Sequence, residues 1–146
     1  MTRSIAISVA AFALVVALGA QAQTAKWDQA AVTAAAAEYE AAVSDLRQSV
    51  RQSTASTLSP NKSKIYQIMQ DLRQIEWLAQ SLHADLVKGA GLEETTPDYN
   101  EILENRDYAK ADAIFVDITD FIRPKLEAAR VALAKLAAFY PTQPNP

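Results

Sequence analysis

Glycine is almost absent from this chain. Gly19, Gly89 and Gly91 are the three in 146 residues. From residue 20 to 88, and again from 92 onward, there is therefore no glycine to make a tight turn. Alanine, the strongest helix former, is abundant instead, as in Ala30, Ala31, Ala34 to Ala37, Ala41 and Ala42. Apolar residues along these stretches recur at alternating steps of three and four, which is the signature of one buried stripe on an α-helix. The chain can fold as little else than an all-α protein.

The first stripe is Val32, Ala36, Tyr39, Val43, Leu46 and Val50, which predicts a helix from Trp27 to about Gln52. The run from Ser53 to Ser59 breaks it with side chains that compete for backbone hydrogen bonds. Ser59-Pro60 reads as an N-cap followed by a first-turn proline. Ile65, Ile68, Leu72, Ile75, Ala79, Leu82 and Leu86 then carry a second helix to Lys88, where Gly89 stops it.

Residues 89–106 read as a connector containing a short helix, started by Thr96-Pro97 and covering Asp98 to Glu104. A last stripe, Ala111, Phe115, Ile118, Ile122, Leu126, Ala129, Leu133, Leu136 and Tyr140, predicts a third long helix from about Asp107 to Tyr140. Pro124 falls inside it, where the lost hydrogen bond and the clash with the Asp120 carbonyl predict a kink. The expected architecture is an antiparallel bundle of three long helices, the third kinked at Pro124. A four-helix up-down bundle, with the chain broken at Pro124, is the alternative. Geometry keeps that alternative open, because a straight segment from Pro97 to Tyr140 would run about 65 Å and overhang helices of roughly 40 Å.

The start of the chain has the three parts of a secretory signal peptide. Arg3 supplies the positive start, residues 5–18 are uncharged and apolar, and Ala20-Gln21-Ala22 is an A-x-A cleavage site. The apolar run is too short to span a bilayer. The expected organisation is a cleaved signal peptide at 1–22, one helical-bundle domain at 23–140 and a Pro-rich disordered tail at 141–146. The expected destination is the periplasm, with release to the medium as the other outcome. Loss of Arg3 leaves 13 basic against 17 acidic residues. That balance does not suit nucleic-acid binding, which needs a clustered basic surface. No other run has the length and apolarity of a transmembrane segment.

Side-chain chemistry excludes much. With no cysteine there are no disulfides, thiolate metal sites or thiol nucleophiles. The single histidine, His83, and Met69 share the second helix, 14 residues apart. That is about 21 Å along the axis, too far to ligate one haem iron from both sides. No Glu-x-x-His repeat exists for a di-iron centre, and Gly89-Ala-Gly91 reads as following a helix, so no phosphate-cradling loop is expected. The expectation is no cofactor, no catalytic residue and no enzymatic activity.

Two features remain. Glu93, Glu94, Asp98, Glu101 and Glu104, with Asp107, make an acidic stretch relieved by Arg106 alone. These are weak candidates for a hard cation such as calcium; the simpler reading is a solvated connector whose acids complement the dipole of a helix start. Trp77 lies off the apolar stripe, among Arg73, Gln74, Gln80 and Ser81. A large aromatic on a polar face marks a candidate contact surface. The expected function is thus a non-enzymatic exported protein acting by protein–protein contact, with an unidentified periplasmic protein or with its own copy. The alternative is a bundle that carries or senses a small ligand or metal. Its ligand would sit beside the Pro124 kink or in the core near Tyr39, Tyr108 and Phe115.

Overall fold

A computed structural model describes residues 26–54, 62–114 and 120–141. The expected signal peptide, the Ser59-Pro60 helix start, Phe115, Ile118 and nearly all of the Pro-rich tail lie outside them. The described residues form four helices and no strand: α1 (Gln29–Thr54), α2 (Lys62–Val87), α3 (Leu92–Ala113) and α4 (Arg123–Ala137). The fold is a helical bundle, and its helix count is that of the four-helix alternative.

The start of α1 is set by Asp28, whose Oδ1 accepts the Ala31 N–H at 3.0 Å as an N-cap. Trp27, just before the cap, packs against the core that holds Val32, in the manner of a hydrophobic staple. The predicted stripe of α1 is the buried one, with Val32, Ala36, Tyr39, Val43, Leu46 and Val50 all in the core.

Helix α2 stops where the sequence predicts. Gly89 takes φ +94°. The Ala90 N–H reaches the Asp85 carbonyl at 2.9 Å and the Gly89 N–H reaches Leu86 at 3.0 Å. This 6→1 and 5→2 pair is a Schellman cap, which needs a left-handed residue at that position. Gln29 completes it across the bundle, its Nε2 donating to the carbonyls of Leu86 at 2.7 Å and Ala90 at 3.1 Å.

The second half of the chain departs from the expected three-helix reading. α3 begins at Leu92, not at Thr96-Pro97, because Glu94 at the third helical position accepts the Gly91 N–H at 2.8 Å and fixes an earlier start. The expected short connector helix is therefore a full 22-residue helix. It carries Pro97 inside it and runs through Asn105, whose side chain bonds back to the Glu101 carbonyl. α3 ends at Ala113 and α4 begins at Arg123. Pro124 thus stands at the second position of α4, where its missing N–H has no helical partner to lose. The kinked third helix and its overhang do not form. Ala111 is exposed, while Leu133, Leu136 and Tyr140 are buried.

Each packed pair of helices is antiparallel. Arg47 meets Glu76 and Glu40 meets His83 between α1 and α2, Lys64 meets Asp112 between α2 and α3, and Lys125 and Lys135 meet Asp45 and Glu38 between α4 and α1. α1 lies between α2 and α4, and α2 between α1 and α3. The helical parts of α3 and α4 do not pack directly on each other. No helix among the described residues is long and apolar enough to cross a membrane.

Candidate contact surface

On α2 the buried side is Leu72, Ile75, Leu78, Ala79, Leu82 and Leu86. At about 100° per residue, Trp77 projects from the other side. Its side chain is 59% exposed. Neither α3 nor the short link from α2 to α3 covers it. Arg73 and Gln80 are exposed beside it, and Gln74 and Ser81 are half-buried toward α3. The five residues singled out from sequence thus lie together on the outside of a well-anchored helix. Tyr66, 65% exposed, continues the same outward side about three turns away.

This outward half of α2 also has a charge character. Lys62 and Arg73 are exposed on it. Of the acids in this helix, Asp71 and Glu76 are buried, and Asp85 is paired with Lys88 at 2.8 Å. The surface that Trp77 occupies is therefore aromatic and basic, on a chain whose net charge is −3.

The neighbouring helix has the opposite character. Glu94, Pro97, Glu101, Glu104 and Tyr108 follow one another at steps of three and four, so they share a stripe of α3, and all are exposed. Tyr108 donates its hydroxyl to Glu104 Oε1 at 2.8 Å. Sequence reasoning did not join this stripe to Trp77. A helix start at Thr96-Pro97 divides the stripe among a loop, a short helix and the helix expected from Asp107.

The acidic candidates for a metal are spread along α3 and not gathered. Among the described residues no group of three or more metal-ligating side chains forms. Glu94 is engaged in capping and Glu104 with Tyr108. Of the expected ligand pocket near Tyr39, Tyr108 and Phe115, the two tyrosines lie among the described residues. Tyr39 is buried and its hydroxyl is held protonated by burial, while Tyr108 is exposed and Phe115 lies outside the described residues. Beside Pro124 there is a shallow open groove between α1 and α4, walled by Ala41, Ala42, Ala128, Val131 and Ala132.

Polar contacts inside the bundle include those of His83, Arg47 and Asp71. His83 Nδ1 is 2.7 Å from Glu40 Oε2, half-buried between α1 and α2. His83 thus has a carboxylate partner on the neighbouring helix. Arg47 Nε approaches Glu76 Oε2 to 2.6 Å. Asp71, buried between α2 and α3, accepts from Gln67 at 3.2 Å, and its second oxygen has no partner among the described residues. Burial pushes its carboxyl above the usual range, and the charge of Asp112 adds to this. No protein-family model, curated protein or solved structure matches the chain.

Proposed function

We propose that this protein is exported to the periplasm, loses residues 1–22 there, and acts without catalysis by presenting the Trp77 side of α2 to a protein partner. The observation that carries this reading is the exposure of Trp77 on a helix whose opposite side is fully packed. Burying an indole removes a large apolar area from water, so a partner that covers Trp77 gains a favourable contribution. Arg73, one turn away, and Tyr66, further along the same side, are, with tryptophan, the residue types enriched where proteins meet. The export step rests on the N-terminal pattern of a positive start, apolar core and A-x-A site.

The test places a photo-crosslinking amino acid at position 77 of the full-length chain expressed in a bacterium with a periplasm. The intact mass of the product should begin at Gln23, and irradiation should give discrete protein adducts, either to itself or to another protein. The same label at Ala34, on an exposed part of α1, should give none. An intact mass that keeps residues 1–22 would overturn the export step. An absence of adducts at 77, with the chain folded, would overturn the contact step.

A further inference from the structure

The outer side of the α2–α3 pair combines three things: a basic margin on α2, aromatic side chains in the middle and an acidic stripe on α3. We propose that this face docks a second copy of the chain, with a two-fold axis parallel to the helices, so that α2 of each copy lies on α3 of the other. The inference rests on the contact reading above and names its partner.

The face is complementary to itself about one axis. A two-fold interface brings the same patch together from both sides, so the patch must match itself after rotation. An axis perpendicular to the helices would set basic α2 on basic α2 and acidic α3 on acidic α3. An axis parallel to them sets α2 on α3 twice and keeps every residue at its own height. Height can be read from the Lys64–Asp112 pair, which sets the α2–α3 register. Nine residues on from Lys64, Arg73 stands level with Leu103, nine residues before Asp112, and so between Glu101 and Glu104. After rotation, Arg73 of each copy faces Glu101 and Glu104 of the other. Trp77, one turn further, meets the Pro97 and Glu101 edge of the second copy.

Size and sign both favour this occupant. The paired helices offer a face of roughly 33 by 20 Å, about 650 Å² per copy. Twice that lies within the range of stable specific interfaces. An anionic lipid surface or a uniformly acidic peptide would be drawn to Arg73 and Lys62 but repelled by Glu94, Glu101 and Glu104 on the same face. A bipolar partner satisfies both halves, and the chain itself is one.

The experiment is sedimentation and native mass spectrometry of the exported chain, with helicity checked by circular dichroism. Wild type should be a dimer that weakens with added salt. Arg73→Glu alone, and Glu101→Lys with Glu104→Lys in one chain, should each raise the dimer dissociation constant by roughly ten-fold or more, since like charges then face each other. All of these side chains are exposed, so folding should be unaffected. An equimolar mixture of the two variants should form a heterodimer, because both crossed contacts are again opposite in sign. A monomeric wild type would overturn the proposal, and position-77 adducts to another protein would then leave the contact reading standing. A dimer indifferent to the charge reversals, or one whose mixture fails to recover, would also overturn it. So would binding of monomer to phosphatidylglycerol vesicles abolished by Arg73→Glu.

Discussion

Tyr140 lies flat on Tyr99, with ring centroids 4.1 Å apart and planes 7° from parallel. Its hydroxyl donates to Thr95 Oγ1 at 2.9 Å, and Trp27 meets it edge-on at 5.9 Å. Since α3 and α4 do not otherwise pack on each other, this clasp ties the end of the chain to the start of α3 and the start of α1. Tyr140 is 2% exposed. Tyr140→Ala should cost about 3–5 kcal/mol, the usual range for truncating a buried aromatic. Tyr140→Phe keeps the stack, loses one hydrogen bond, and should cost about 1 kcal/mol. Urea unfolding of both variants checks this, and equal losses would show that the ring contributes nothing beyond its hydroxyl.

Gly89 offers a cleaner case of backbone control. Nothing lies within 4 Å of where its Cβ would stand, so space is not the constraint. Its φ of +94° is. Gly89→Ala should destabilise by roughly 1–2 kcal/mol through left-handed strain alone. Gly91, with its φ in the extended region, should accept alanine at smaller cost. Thermal unfolding of the two variants side by side distinguishes them. A Gly89→Ala chain as stable as wild type would mean that the Schellman cap is not what ends α2.

Where periodicity and caps agreed, the fold could be read from the residues. The α1 stripe from Val32 to Val50 and the Gly89 stop are local signals, and tertiary packing did not contradict them. The second half was misread at two prolines. Thr96-Pro97 looks like a helix start, yet Glu94 reaching back to Gly91 sets that start five residues earlier. Pro124 looks like a kink in a continuous stripe, yet it begins α4. A proline fits a first turn or disrupts an interior, and the residue alone does not say which. The contact face was half legible. Trp77 stood out by its polar neighbours, whereas the acidic stripe of α3 became one surface only once α3 was continuous.

Asp71 makes stability depend on pH. Its folded carboxyl titrates above the ordinary 3.8, chiefly because it is buried, with the Gln67 hydrogen bond working against the shift. A raised carboxylate pKa means that the folded state holds the proton more tightly than the unfolded state. The favourable contribution is therefore complete below pH 3.8 and is lost as pH rises through the folded value. At neutral pH the charged carboxylate is a burden. Asp71→Asn should be more stable than wild type at neutral pH, and the gap should close on acidification toward pH 3.8. Urea midpoints across this window test it. A variant less stable than wild type at neutrality would mean that Asp71 is held by a favourable charge contact instead.

Pro97 is the remaining local conflict. It stands at the sixth residue of α3, past the first turn, so the Glu93 carbonyl loses the N–H it would otherwise receive. Two neighbouring hydroxyls occupy nearby carbonyls, Thr95 on Gly91 at 2.9 Å and Thr96 on Leu92 at 2.6 Å. They do not serve Glu93. Pro97 is exposed, so its removal forfeits little packing. Pro97→Ala should restore the hydrogen bond and remove the clash, a gain of up to about 3 kcal/mol, reduced by roughly 0.4–1 kcal/mol because alanine leaves the unfolded chain freer. A net stabilisation in urea, with higher helicity, is the expected result. Hydrogen exchange at residue 97, measured on the new amide, should show protection comparable to that of Ile102, one turn further into the helix. A fast-exchanging amide there would mean that the first turns of α3 are not held as a helix in solution, and that the Glu94 cap is too weak to set where it begins.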